Sequence, residues 1–232
     1  MEVYLTKMVN SHPNIIQFHG VTKLEDEERY SLVLEYADGG TLRDYLRNNT
    51  TEWKTQLRFA REITSAILWL HDVKEIVHGD LHSNNILIHK NTIKLVDFGR
   101  SFEKGNGCNN TEVWGAIPYV DPKMLDQTIS YKLNEKSDIY SLGVLFWELA
   151  SSSFIDDLED NHITLGEAVP NTNNKFNGLY QKCLKQEPDE RPNISEINET
   201  LSSIDNDEST VSDSEENEDS CQIDLNKLDQ KL

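Results

Sequence analysis

Cysteine, methionine and proline are scarce here, at 3, 3 and 6 of 232 residues. Cys108, Cys183 and Cys221 are odd in number and far apart, with no C-x-x-C pair to nucleate a zinc or redox site. This excludes a cysteine-built metal framework and points to a reducing, intracellular compartment. Long apolar runs are also missing. The longest, from Ile139 to Ala150, is interrupted by Glu148 and is far too short for a bilayer, and MEVYLTKMVN at the N-terminus has no basic region followed by an apolar one. No membrane span and a soluble, cytoplasmic protein are expected. Basic residues are few: 22 Lys+Arg against 41 Asp+Glu give −19, without a cluster that could follow a phosphate backbone, so nucleic acid is excluded as a partner.

The 26.7 kDa chain has room for one large domain or two small ones and a sizeable core. SLVLEY, residues 31–36, has strand length, and Asp38-Gly39-Gly40 ends it. Trp53, Leu57, Ile63, Ile67 and Leu70 recur at helical spacing, with His71-Asp72 as the polar end. Short β-type runs, EIVHGDLHSNNILI and TIKLVDF, fill residues 75–98, split by the polar residues of a loop that carries chemistry. SDIYSLGVLFWEL, residues 137–149, is apolar on nearly every face and predicts a central buried helix. Amphipathic helices are predicted around Phe176 to Leu184 and around Ile194 to Ile204, the last with Pro192 near its start. From Asp205 to Leu232 there are ten acidic and two basic residues and no aromatic one, a composition that predicts a disordered acidic tail in which Ser212, Ser214 and Ser220 are candidate phosphorylation sites.

The chemistry concentrates in His78-Gly79-Asp80-Leu81-x-x-x-Asn85 and, twelve residues after Asn85, Asp97-Phe98-Gly99. Phosphoryl transfer needs a carboxylate to orient the acceptor hydroxyl and hard oxygen ligands to hold Mg²⁺ against the phosphates. Together these strings resemble the catalytic loop and metal-binding motif of eukaryotic protein kinases. The resemblance extends in order from Glu2 to Leu201: HPNII at 12–16, SLVLEYADGGTL at 31–42, IPYVDP at 117–122, KSDIYSLGVLFWE at 136–148 and DERP at 189–192.

The resemblance implies an α+β fold, mainly the helical large lobe of a kinase (37–204) with a remnant of the small lobe (1–36). It implies Asp80, Asn85 and Asp97 as catalytic residues, with Asn85 and Asp97 holding Mg²⁺. Leu34 falls at the gatekeeper position, backbone groups of Glu35 and Ala37 face the adenine of ATP, and Leu87 packs beneath it. Asp138 is implied as the anchor of the catalytic loop, His78 and Phe98 as members of an apolar stack, and Glu2 as the partner of an ATP-binding lysine. A protein substrate follows, with Ser/Thr hydroxyls as acceptors, or Tyr, and DLHSNNIL is similar to the tyrosine-kinase-like group. Thr111 and Tyr119 are candidate phosphosites. The three nearby imidazoles His71, His78 and His82 are not read as a metal cluster, because they lack a helical His-x-x-x-His setting.

The sequence departs from the family pattern in several places. No Gly-x-Gly-x-x-Gly loop and no lysine precede Glu2, so an N-terminally truncated kinase domain is expected, with apolar surface left exposed. Gly79 replaces the arginine that commonly pairs with an activation-segment phosphate. Lys123 occupies the place of the glutamate that would pair with Arg191, which predicts a local weakness. The link at 151–169 is shorter than usual. Two readings stand: an ATP-dependent protein kinase, and a pseudokinase lobe serving as an interaction module.

Overall fold

A computed structural model describes residues 2–23, 30–105, 117–126, 128, 130–151 and 164–204. The 205–232 tail with its three serines, Thr111, and most of the 151–169 link lie outside the described residues.

Helix α1 (Glu2–Met8) leads into an antiparallel pair, β1 (Phe18–Thr22) and β2 (Ser31–Leu34), paired from Phe18↔Leu34 to Thr22↔Ser31 with a register shift between Phe18 and Gly20. Val3, Tyr4, Val21, Tyr30 and Val33 are exposed on this part, in line with the expectation of open apolar surface. Helix α2 (Leu42–Asn48) follows a Gly-Gly turn, its N-terminus capped by the Thr41 hydroxyl, which accepts from the Asp44 N–H at 3.0 Å. Sequence periodicity does not mark this helix, because seven residues make too short a window for a helical pattern.

Helix α3 (Trp53–Leu68) buries the predicted stripe and continues through a π turn, Trp69–Val73, so His71 is buried rather than a solvated end. Two hairpin-like pairs follow. β3 (Ile76–Val77) pairs with β6 (Phe102–Glu103), and β4 (Ile86–His89) with β5 (Thr92–Leu95). The β4–β5 connection needs only Lys90 and Asn91, both at positive φ (49° and 62°), the twist-compatible geometry of a tight hairpin.

Helices α4 (Pro122–Leu125), α5 (Glu135–Ser151), α6 (Asn174–Cys183) and α7 (Ile194–Ser202) complete the fold. Every residue of α5 from Ser137 to Ala150 is buried, as its all-round apolarity predicts. α6 packs on it and α7 packs on α3. Gly143 permits the α5–α6 approach, since a Cβ there would lie 2.7 Å from that of Cys183. The last helix starts at Ile194, just after Pro192, and is capped by Asn193, whose side chain and that of Glu196 form a reciprocal capping box.

The expected weakness around Lys123 is overturned. Arg191 pairs with Asp121, two residues earlier, through Nη1–Oδ2 at 2.7 Å and Nη2–Oδ1 at 2.9 Å, both side chains fully buried. Its remaining N–H groups donate to the carbonyls of Lys185, Lys136 and Gln186, so all its donors are satisfied. Lys123 turns outward to Glu187 at 2.5 Å. Asp121→Ala leaves a buried guanidinium without its counter-charge and is expected to cost about 3–5 kcal/mol. Lys123→Glu, which restores the family residue, should change stability by less than about 1 kcal/mol because it touches only an exposed pair. Urea unfolding of the two variants measures the contrast.

Candidate active site

The site begins with α5. Asp138, in its first turn, is 1% exposed, and its carboxylate takes the His78 N–H at Oδ2 (2.8 Å), the Gly79 N–H at Oδ1 (2.9 Å) and His71 Nε2 at Oδ2 (2.8 Å). Burial pushes its pKa up, but the hydrogen bond and charge of His71 and the loop N–H groups outweigh this and hold it below the ordinary carboxylate range. Thus the start of the catalytic loop hangs on one carboxylate.

His78 carries the frame onward. It is fully buried, its ring centroid lies 5.3 Å from that of Phe98, and Nε2 meets the Val96 carbonyl at 3.1 Å. Nε2 therefore bears the proton, which leaves Nδ1 to accept the Asp80 N–H at 3.3 Å. Burial lowers the His78 pKa and keeps this neutral tautomer. Val96 N–H donates to the Asn85 carbonyl at 3.0 Å. The residue before Asp97 is thereby tied to both His78 and Asn85.

Asp80, Asn85 and Asp97 are brought to one edge by these bonds. Asn85 Nδ2 donates to the Asp80 carbonyl at 2.9 Å, so its amide oxygen is the atom left for a ligand. Asp97 sits at φ 65°, a strained left-handed position, and Oδ1 accepts the Gly99 N–H at 3.1 Å. Glu2 comes close to the same glycine: a Cβ on Gly99 would meet its Oε2 at 3.8 Å. A carboxylate and an amide oxygen are the hard donors that Mg²⁺ accepts when phosphates complete its shell. Among the described residues no three His, Cys, Asp or Glu side chains converge on a metal, and His71, His78 and His82 each have separate surroundings.

The residues that the family resemblance assigns to the nucleotide lie near β4. Gly39 N–H donates to Ile88 O and Ile88 N–H to Gly40 O, both at 2.9 Å, and Thr41 bridges Leu87, laying residues 39–41 along β4. Ile86 and Ile88 face the core and Leu87 the opposite side, half-buried. Glu35 N–H is already held by Gln17 O at 2.8 Å, so its carbonyl is the group free for a ligand; its side chain pairs with Lys94 at 3.0 Å. Leu34 and Ala37 flank it, both half-buried.

Sequence reasoning missed Asp121, His71 and a buried set formed by Ser83, Tyr119 and Glu148. Tyr119, a candidate phosphosite, is 5% exposed and hydrogen-bonded on both sides, which withholds its hydroxyl from a modifying enzyme.

A helical body with a buried aspartate under a His-Gly-Asp loop, and an Asp-Phe-Gly turn held beside Asn85, define the class. The protein kinase domain profile matches residues 1–201, and the chain belongs to the protein kinase domain family. It is 34% identical over 232 aligned residues to the LEAF RUST 10 disease-resistance locus receptor-like protein kinase-like 1.4 of Arabidopsis thaliana, covering 85% of this chain and 34% of that one. The probable serine/threonine-protein kinase kinX of Dictyostelium discoideum is 31% identical (84% and 18% covered), and the mitogen-activated protein kinase kinase kinase zak-1 of Caenorhabditis elegans 28% (83% and 28%). The chain spans about a third or less of the length of these relatives. No helix among the described residues is long and apolar enough to cross a membrane.

Gly79 is held at φ 78°, and a Cβ there would meet the Arg100 carbonyl at 2.9 Å and Leu133 Cδ2 at 3.0 Å. Reintroducing arginine is therefore expected to destabilise the chain by about 1–3 kcal/mol, as is Gly79→Ala, measured by urea unfolding. Wild-type stability in either variant would show that the loop adapts.

Proposed function

We propose that the chain is an ATP-dependent protein kinase domain, transferring the γ-phosphoryl group of Mg-ATP to Ser or Thr hydroxyls of protein substrates in intracellular signalling. The observation that carries this reading is the hydrogen-bonded frame that holds Asp80, Asn85 and Asp97 on one edge. In this reading Asp80 accepts the hydrogen bond of the substrate hydroxyl, orients its oxygen and takes its proton, while Asn85 Oδ1 and the Asp97 carboxylate hold Mg²⁺. Mg-ATP supplies the phosphoryl group and the charge that neutralises it when bound. The Glu35 carbonyl and Ala37 N–H are the hydrogen-bonding edge for adenine, Leu34 closes the back of the site, and Leu87 lies beneath the base. Residues 1–36 act as the small-lobe part and 37–204 as the large lobe. Cytoplasmic placement fits the scattered cysteines, and DLHSNNIL favours the tyrosine-kinase-like group.

In the full-length gene product, Asp80→Asn is expected to lower kcat about 100-fold or more, the scale of a lost general base, with the Kd for Mg-ATP unchanged by calorimetry. Undiminished kcat overturns the assignment. Mg-ATP binding by wild type without transfer to any Ser/Thr peptide library would point instead to an interaction module.

A further inference from the structure

Glu148 is a charge in a place where charges are rare. It lies in the last turns of α5, 1% exposed, amid Trp147, Leu149 and the other apolar side chains of that helix. Oε1 accepts the Tyr119 hydroxyl at 2.6 Å, and the Tyr119 oxygen lies 2.8 Å from the hydroxyl of Ser83. Oε2 is buried and has no hydrogen-bond partner among the described residues. Nothing in the reading above uses this set, yet it joins three separate elements: α5, the 117–119 turn (Ile117–Tyr119) and the Ser83–Asn85 turn of the catalytic loop. The Tyr119 backbone is pinned independently, since Ser141 Oγ donates to its carbonyl at 2.7 Å. The phenol can change partners without moving the chain.

Hydrogen bookkeeping gives this chain two directions. A phenol has one hydrogen. With Glu148 ionised, Tyr119 donates to Oε1 and Ser83 must donate to the Tyr119 oxygen. With a proton on Oε1, Glu148 donates to Tyr119, Tyr119 donates to Ser83 Oγ, and the Ser83 hydrogen is released toward another acceptor at the base of the turn that carries Asn85. We propose that Glu148 is a positioning residue that acts through Tyr119 and Ser83 on the Ser83–Asn85 turn, and that its protonation reverses this hydroxyl chain. The consequence for phosphoryl transfer rests on the kinase reading, but the reversal itself does not.

The groups around Glu148 set where the reversal falls. Burial raises its pKa to about 7, opposed by the hydrogen bond from Tyr119 and by the charges of Arg43 and Arg47 on α2. Tyr119 stays a neutral phenol because burial and the Glu148 charge both raise its pKa. His82, whose ring lies 5.9 Å from that of Tyr119, has its pKa lowered by burial and faces the phenol rather than the carboxyl. The raised carboxyl pKa means the folded chain holds a proton that the unfolded chain releases. This stabilisation is complete below the ordinary value of 4.5, declines as pH rises, and is gone above about 7.

The test compares wild type with Glu148→Gln, Tyr119→Phe and Ser83→Ala, without nucleotide. Between pH 5.5 and 8.5 the unfolding constant of wild type is expected to rise about 30-fold more than that of Glu148→Gln. Over the same range, amide hydrogen exchange in the 81–87 segment, corrected for intrinsic rates, should change in wild type and stay flat in Ser83→Ala, which keeps the Glu148 titration. If Glu148→Gln does not fold, the protonated-carboxyl infrared band of wild type decides: it should vanish between pH 6 and 8 and shift in frequency in Tyr119→Phe. An equal pH slope in Glu148→Gln, a carboxyl band that does not titrate, or 81–87 exchange that ignores either pH or Ser83 overturns the proposal. Because no readout involves ATP or transfer, failure here and failure of the kinase reading are separate results.

Discussion

The carboxylate of Asp138 is the constraint on which the site depends. It is buried in the most apolar helix of the protein, where an isolated charge would be very costly, and it is tolerable only because His71, His78 and Gly79 supply three hydrogen bonds to it. Those same bonds fix where the catalytic loop begins. From His78 the order passes to Val96, from Val96 to Asn85, and from Asn85 to Asp80, so residues up to 67 positions apart in sequence share one rigid frame. The two carboxylates on this frame remain partly open, Asp97 exposed and Asp80 half-buried, as the proposed role in meeting a ligand requires.

Two departures from the family pattern show how geometry outlasts sequence position. The counter-charge for Arg191 is conserved in space while its residue moves from position 123 to position 121, because what the buried guanidinium needs is a bidentate acceptor, not a particular place in a motif. At position 79 the loss of arginine is coupled to backbone form: positive φ and the close Arg100 carbonyl favour glycine. The first departure is compensated within the fold. The second removes a cationic side chain beside Asp80 and leaves the Asp138 bonds to carry the loop.

Much of this was legible in the sequence, and what was not has identifiable causes. Two long helices appear where the sequence places them, Trp53–Leu68 by periodicity and Glu135–Ser151 by its all-round apolarity. Asp80, Asn85 and Asp97 could be proposed as a site from sequence because they fall in two short strings with fixed spacing. Asp121 was missed because motif matching assigns partners by position, whereas an ion pair depends on reach. The role of His71 was hidden because a histidine at a helix end reads as solvated, and only the π turn that carries it inward reveals Asp138 as its partner. Glu148 did leave a signal, an acid among the apolar residues near the end of α5, but it registered only as a break in a hydrophobic run.

The account turns on whether the buried carboxylate of α5 holds the catalytic loop in place. Residue-resolved hydrogen exchange of Asp138→Asn against wild type tests this most directly. The account predicts that the amides of His78 and Gly79 lose protection at least about ten-fold while the core amides of α5 keep theirs, the mark of a local opening rather than global loss of stability. Unchanged protection at His78 and Gly79 in a folded Asp138→Asn chain would show that the loop stands without this anchor and would contradict the account.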